Sequence, residues 1–313
     1  MKAIILKEPG GVENLIETEL AIPVVGDDDV LIQVKAISIN PVDVKTRAGK
    51  GMYGRFKELN PLILGWDISG VITETGKNVS PFKKGDEVFG MVNFPGHGKA
   101  YAEYIAAPAA HIALKPSGIS HEEAAAATLA ALTAWQALVT KANIQPGNKV
   151  LIHAASGGVG HYAVQLAKHL GAYVICTSSA ANKEFVSRLG ADQHIDYQSQ
   201  RLQDAVQDVD FVLDAIGADV FDSSISVVKR GGTIISIPGG LPEALAEKAK
   251  QNGINGYFFL VQSNGEDMKR IADFLDRKII RSHIHQTFPF HDMGKAHLLQ
   301  ETGRVKGKVV VTL

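Results

Sequence analysis

KVLIHAASGGVGHYAVQLAKHLG, residues 149–171, reads as strand, turn and helix. Val150-Leu151-Ile152 is a short unbroken apolar run after the turn signal Pro146-Gly147-Asn148, as a strand buried on both faces of a parallel sheet requires. Ala163, Leu166, Ala167 and Leu170 then recur at helical spacing, and Gly171 stands where a left-handed C-cap residue is wanted. Between them, Ala155-Ser156-Gly157-Gly158-Val159-Gly160 puts small residues at all three fixed positions of the G-x-G-x-x-G dinucleotide fingerprint, with Ala in place of the first Gly. A side chain at Gly157 would hold the backbone off a pyrophosphate, and one at Gly160 would hold the helix off the strand. The free N–H groups and positive dipole end of the helix attract phosphates.

The usual companion of this loop is an acidic residue about 20 positions on, at the tip of the second strand, which accepts hydrogen bonds from the adenosine ribose. Here that strand, Ala172–Cys176, runs into Thr177-Ser178-Ser179, and no Asp or Glu occurs between Gly160 and Glu184. A carboxylate would repel a 2′-phosphate, whereas Ser178, Ser179 and Lys183 offer hydroxyls and a cation. NADP(H) is the expected cofactor, over NAD(H).

Working outward, Ser120-His121-Glu122-Glu123 is an S-x-x-E capping box opening an alanine-rich helix toward Val139. From there strands and helices alternate: strand 149–153, helix 159–170, strand 172–176, helix 182–189, strands 193–195 and 208–213, helix 220–229, strand 233–237, helix 242–251 and strand 256–261. That alternation predicts an α/β domain with a doubly wound parallel sheet and a ligand crevice at the carboxyl ends of its strands. Residues 1–120 instead show short strands broken by turns, a mostly antiparallel, barrel-like pattern. After Val261, a helix over Gly265–Lys278 and a strand at Val309-Val310-Val311 return to the first domain. The expected division is 1–120 with 263–313, and 121–262.

The 313 residues, 45% hydrophobic, suffice for two cores, and a net charge of −1 gives no signal for nucleic acid. No stretch approaches the ~20 apolar residues of a membrane span, and the apolar run in MKAIILKEPGG is too short for a signal-peptide core, so a cytoplasmic location is expected. The single cysteine, Cys176, excludes an internal disulfide and a Cys-rich zinc site, and reads as core packing.

Five segments carry a family resemblance: Ser38-Ile39-Asn40-Pro41-Val42-Asp43, Leu64-Gly65-Trp66-Asp67-Ile68-Ser69-Gly70-Val71, Lys84-Gly85-Asp86-Glu87-Val88, Leu132-Thr133-Ala134-Trp135 and the glycine loop. Together the chain resembles the zinc-independent quinone oxidoreductases, the zeta-crystallin-like branch of the medium-chain dehydrogenase/reductase superfamily. The resemblance implies a GroES-like β domain joined to a Rossmann domain. Zinc-dependent members hold the metal with a Cys, the His of a Gly-His-Glu motif and a further Cys or Asp. Here Asn40 stands near the first position and Trp66 replaces the His, which leaves too few ligands for zinc, so no metal is expected.

Without zinc, alcohol oxidation loses the means of stabilising an alkoxide, whereas a quinone or an α,β-unsaturated carbonyl spreads the incoming charge onto its own oxygen. By resemblance, Asn40, Asp43 and Tyr53 line the cleft beside the nicotinamide. Asn40 would donate an amide N–H to the developing oxyanion, and the Tyr53 phenol would donate likewise or relay a proton. Alternative readings make Tyr53 a surface aromatic, Asp43 a brace for the helix beginning near Pro41 and Asp67 a structural acceptor; Arg304 and Lys308, near the C-terminus, read as solvated cations first and as contacts to cofactor or substrate second. For the cofactor, the resemblance carries over Thr133 to the nicotinamide side and Ser156, Gly157, Gly158, Val159 and Gly160 to the pyrophosphate. It carries Ser178, Lys183 and Tyr197 to the adenosine phosphate, with Ser179 beside them. Ala215-Ile216-Gly217 and Pro238-Gly239 should border the ribose and nicotinamide.

The expected activity is NADPH-dependent reduction of a quinone or enone. The alternatives are an enoyl-thioester reductase and a low-turnover NADPH-binding sensor or accessory protein. An apolar edge strand, Gly256–Val261, pairs across a two-fold axis in this family, which implies a homodimer.

Overall fold

The computed structural model describes residues 1–313. They divide into two units, Met1–Leu132 with Val261–Leu313, and Thr133–Leu260. The first unit opens with an antiparallel ribbon of β1 (Lys2–Leu6) and β2 (Leu15–Glu19). β3 (Asp29–Ile39) leads through α1 (Pro41–Arg47) and the single turn α2 (Tyr53–Phe56) to β4 (Asp67–Thr75) and β5 (Glu87–Met91). β6 (Tyr104–Pro108), β7 (Ile112–Leu114) and α3 (His121–Ala126) follow. The capping box is formed: Ser120 Oγ accepts from Glu123 N at 3.1 Å, and Glu123 Oε2 accepts from Ser120 N at 2.9 Å.

The expected continuous helix is broken after Ala126. Thr128 Oγ1 donates back to Ala125 O (2.8 Å), and the Asp67 carboxylate accepts the N–H of Leu129 (3.0 Å), starting a separate helix α4 (Leu129–Trp135). A π-helical turn, Gln136–Lys141, follows. The division also falls later than expected, at Thr133 and not at His121. Small side chains explain it: Ala125 and Ala126 pack with Ala36 and Val310, so α3 lies directly on the sheet of the first unit.

In the second unit the chain alternates through β8 (Lys149–Ile152), α5 (Gly158–His169), β9 (Tyr173–Ser178), α6 (Lys183–Arg188), β10 (Gln193–Asp196), α7 (Leu202–Ala205) and β11 (Val209–Asp214). It ends with α8 (Ala218–Ile225), β12 (Val228–Ser236), α9 (Glu243–Gln251) and β13 (Asn255–Phe258). The six strands are parallel in the order β10-β9-β8-β11-β12-β13, the doubly wound arrangement, with the order reversing between β8 and β11. Leu151, Ile175, Val212, Ile234 and Phe221 share one core. The helix expected over 220–229 stops at Ile225, because the chain resumes extended pairing with β11 at Val228 across a bulge.

The chain then returns to the first unit. α10 (Gly265–Asp276) is capped by Asn264 Oδ1 accepting from Asp267 N (3.0 Å) and packs on β7. β14 (Ile284–Pro289), α11 (Met293–Glu301) and β15 (Lys308–Thr312) complete it, and β15 runs antiparallel to β3. The resulting sheet, β14-β15-β3-β4-β5-β7 with β6 also on β3, is antiparallel except for the β14–β15 pair. A mostly antiparallel domain interrupted by a doubly wound one is therefore what the chain forms.

Candidate functional site

In the second unit, the carboxyl ends of the parallel strands carry most of the residues assigned to a nucleotide. The turn after β8 ends at Gly157, the N-cap of α5. A β-carbon at Gly160 would run into Ala154 O and lie 2.7 Å from Ala155 Cα, so only Gly lets the helix sit on the turn. At Gly157 a β-carbon would meet nothing within 4 Å but Ala154 O, at 3.2 Å, so the backbone there is bare toward open space. Ser156, Gly158 and Val159 are half-buried around it. The first-turn N–H groups of α5 have no intrahelical acceptor, which makes this a cradle of the kind phosphates occupy.

Ser178 ends β9 with its Oγ 2.9 Å from His194 Nε2. Asn182 Nδ2 donates to Ser156 Oγ (3.1 Å) and Ser179 Oγ (3.4 Å), tying the glycine turn to the tip of β9. Lys183 is exposed at the start of α6, and Tyr197 is exposed just past β10. Asp196, in register with Ser178, is turned onto its own loop: its carboxylate accepts from Ser199 Oγ (2.7 Å) and Gln198 N (3.2 Å). After β11, Asp214 Oδ1 accepts from the N–H groups of Ile216 (2.8 Å) and Gly217 (3.0 Å), while Oδ2 accepts from Ser236 Oγ (2.7 Å). That clamp shapes the loop Ala215-Ile216-Gly217, with Gly217 at φ +136°. Pro238 and Gly239 follow β12. Thr133 is buried in α4, outside these strand-end loops.

Asn182, His194 and Asp214 are the members of this edge that sequence reasoning missed. Only Asp214 left a signal, an acidic residue closing an apolar strand just before Gly217.

His153 bridges the core beneath the turn, with Nδ1 2.9 Å from Thr177 Oγ1 and Nε2 3.0 Å from Ser224 Oγ. Burial pushes its pKa down to about 4, from an ordinary value of 6.5. The unfolded chain therefore takes up a proton below pH 6.5 that the folded chain refuses, and stability falls as pH drops from 6.5 to about 4, by roughly 3 kcal/mol from this group. Urea midpoints measured across that window should show the loss, and His153→Gln should flatten part of it.

In the first unit a cluster of polar side chains is buried. Asn40, the N-cap of α1, and Asp43 are 1% and 0% exposed. Asp43 Oδ2 accepts the Asn40 backbone N–H (2.7 Å), with Pro41 at the first helical position, so Asp43 braces α1. Asn40 Nδ2 donates to Asp67 Oδ2 at 2.7 Å and makes a long contact of 3.5 Å to Ser38 O. Lys308, expected in solvent, is 2% exposed: Nζ donates to Ile39 O (3.0 Å) and to Asn40 Oδ1. Register explains the correction, because β15 pairs with β3 and brings its first residue alongside Ile39 and Asn40.

Burial, and then the negative charge of Asp67, push Asp43 up to about 8, so it holds its proton at neutral pH. Burial also raises Asp67, against the opposing pull of Lys308, and lowers Lys308 against the pull of Asp67 and Asp43. The Tyr101 hydroxyl lies 2.9 Å from His297 Nε2, and burial together with the nearby Asp43 raises the phenol. Tyr53 opens α2 and is half-buried.

This donor set does not fit zinc. Trp66 Nε1 donates to Gly96 O (2.6 Å) and its ring packs edge-on to Phe94, while an ammonium already occupies the acceptor end of Asn40. No group of three or more His, Cys, Asp or Glu side chains is gathered where it could hold a metal ion.

The family described as "Alcohol dehydrogenase GroES-like domain" matches residues 26–117, and "Zinc-binding dehydrogenase" matches residues 189–311. The 2-methylene-furan-3-one reductase of Solanum lycopersicum is 35% identical over 324 residues, covering 99% of this chain and 79% of that protein. The chloroplastic NADPH-dependent alkenal/one oxidoreductase of Arabidopsis thaliana is 34% identical with the same coverage. Among solved structures, the quinone oxidoreductase from Coxiella burnetii superposes with a TM-score of 0.95 at 38% identity, covering 100% of this chain and 99% of that one. With two domains of the expected kinds, a glycine turn at a helix N-terminus and an asparagine and a tryptophan where zinc ligands would be needed, the chain belongs to the zinc-independent quinone oxidoreductase branch of the medium-chain dehydrogenase/reductase superfamily.

Proposed function

We propose that this protein is an NADPH-dependent reductase of quinones or α,β-unsaturated carbonyls that works without a metal. The observation that carries the reading is the carboxyl edge of the parallel sheet, where the bare Gly157–Gly160 cradle stands beside a β9 tip with Ser178, Ser179 and exposed Lys183 in place of a carboxylate. The relatives support it, being named for NADPH, alkenals and alkenones, a methylene-furanone and quinones. When bound, NADPH supplies the hydride.

In this reading Ser156–Gly160 hold the pyrophosphate, Ser178, Ser179, Lys183 and Tyr197 hold the adenosine phosphate, and Thr133, Ala215–Gly217, Pro238 and Gly239 border the ribose and nicotinamide. Asn40 offers the second of its two Nδ2 hydrogens to the oxygen on which charge develops, and Tyr53 supplies a proton. Asp43, protonated and bonded to the Asn40 backbone, holds the start of α1. We also read the chain as a homodimer. β13 is the edge strand of its sheet, with Tyr257 and Phe258 only half-buried, and sedimentation tests the pairing. A cytoplasmic location goes with this reading and is tested by cell fractionation; no helix is long and apolar enough to cross a membrane.

Nicotinamide absorbance, followed against a panel of quinones and alkenals with NADPH and separately NADH, tests the function. Acceptor-dependent oxidation favouring NADPH is expected. Lys183→Ala should raise the Kd for NADPH about tenfold or more and leave NADH nearly unchanged, as expected for a lost ammonium–phosphate bond. Equal losses for both would remove Lys183 from the phosphate, and tight NADPH binding with no turnover on any acceptor would refute the reductase.

A further inference from the structure

Lys308 is a buried ammonium with two oxygen partners, Ile39 O and the side-chain oxygen of Asn40. On the other side of the same carboxamide, Asp67 accepts from Nδ2, and its second oxygen is held by the Leu129 N–H. An ammonium only donates and a carboxylate only accepts, so between them the amide has a single orientation, oxygen toward Lys308 and nitrogen toward Asp67. Reversal would face donor to donor and acceptor to acceptor in a dry interior, where each mismatch is costly. The second Nδ2 hydrogen faces Ser38 O at 3.5 Å, a long, weak bond that a better-placed acceptor can displace.

We propose that Lys308 is a positioning residue for the reduction: its bond to Asn40 Oδ1 fixes the carboxamide with its weakly held second N–H available to the acceptor, and its charge behind that amide strengthens the N–H as a donor to the oxygen of the acceptor being reduced. The proposal rests on Asn40 being that donor. An ammonium on the carbonyl end draws electron density along the amide and sharpens the positive charge on its N–H hydrogens, as any hydrogen-bonded chain does. A fixed internal cation thus stands behind the reacting oxygen and reaches it through the amide.

The test compares Lys308→Met, Asn40→Ala, the double variant, and Asp67→Asn/Lys308→Met, which removes both charges together and keeps the core filled. Readouts are single-turnover rate with saturating NADPH and acceptor, the Kd for NADPH, the melting curve, and the ¹H–¹⁵N resonance of the Asn40 side-chain amide. Asn40→Ala should slow turnover about 100-fold, the size typical of a lost oxyanion donor. Lys308→Met and the charge-neutral pair should each slow it by about tenfold or more with the Kd for NADPH unchanged. Adding Lys308→Met to Asn40→Ala should cost nothing further, because the lysine acts through the amide. The Asn40 amide resonance should shift in both lysine variants.

Additive losses, or a folded lysine variant with the wild-type rate, would overturn the proposal. An Asn40 resonance unmoved in Lys308→Met would overturn the positioning itself. Asn40→Ala turning over at the wild-type rate would overturn the donor reading on which it stands, and a resonance that still shifts would show that the failure lies there and not in the bond to Lys308.

Discussion

Asp67→Ala should cost this protein about 3–5 kcal/mol of stability, the effect of leaving an uncompensated charge in the interior. The carboxylate is fully buried, and three groups depend on it. Asn40 Nδ2 and the Leu129 N–H donate to it at 2.7 and 3.0 Å, and the Lys308 ammonium is balanced by its charge. Truncation strands all three at once, and the start of α4 loses its cap. Urea unfolding followed by tryptophan fluorescence reads the loss, since Trp66 adjoins the site. Asp67→Ala/Lys308→Met, which removes both charges, should recover a large part of it. A single variant as stable as the wild type would mean that water or another group reaches the ammonium.

Gly160→Val should abolish useful NADPH affinity, with Kd raised about 100-fold or more. The obstacle is backbone: a β-carbon at 160 would meet Ala154 O and lie 2.7 and 2.9 Å from Ala155 Cα and C, none of which is the end of a flexible side chain. α5 must back away from the turn, carrying off the N–H groups that the proposed function gives to the phosphates, and stability falls with it. Gly157→Ala separates the two glycine roles. Its β-carbon would meet only Ala154 O at 3.2 Å, so the fold should persist while NADPH binding weakens, because the added methyl stands in the open space of the cradle. Fluorescence titration of NADPH together with melting curves distinguishes them. A Gly160→Val protein that binds NADPH normally would remove the turn from the site.

The glycine turn and the alternation after it were legible because strand, turn and helix there are set by neighbours in sequence. The two halves of the antiparallel unit were separable for the same reason, each strand being bounded by its own turns. What escaped was set by partners distant in the chain. The alanine-rich stretch contains no Gly or Pro to end it; Thr128 bonds back to Ala125 O, and Asp67 completes the break from a distant strand by capping Leu129. Leu15–Glu19, with two glutamates in five residues, does not read as a strand until β1 pairs with it. Lys308 looked like a surface cation because the groups that bury it, Asn40 and Asp67, lie at the far end of the sequence and reach it only through the register of β15 on β3. The same register gives Asn40 its single amide orientation, which no local pattern encodes.

The most direct measurement of the central claim uses NADPH with both hydrogens at nicotinamide C4 replaced by deuterium, an α,β-unsaturated ketone and the purified protein in ordinary water, with the product examined by mass spectrometry and NMR. The account predicts a saturated ketone with one deuterium at the β-carbon and a solvent proton at the α-carbon. Unlabelled product, deuterium on the carbonyl carbon, or bound NADPH that never passes its label to an enone or a quinone would contradict it.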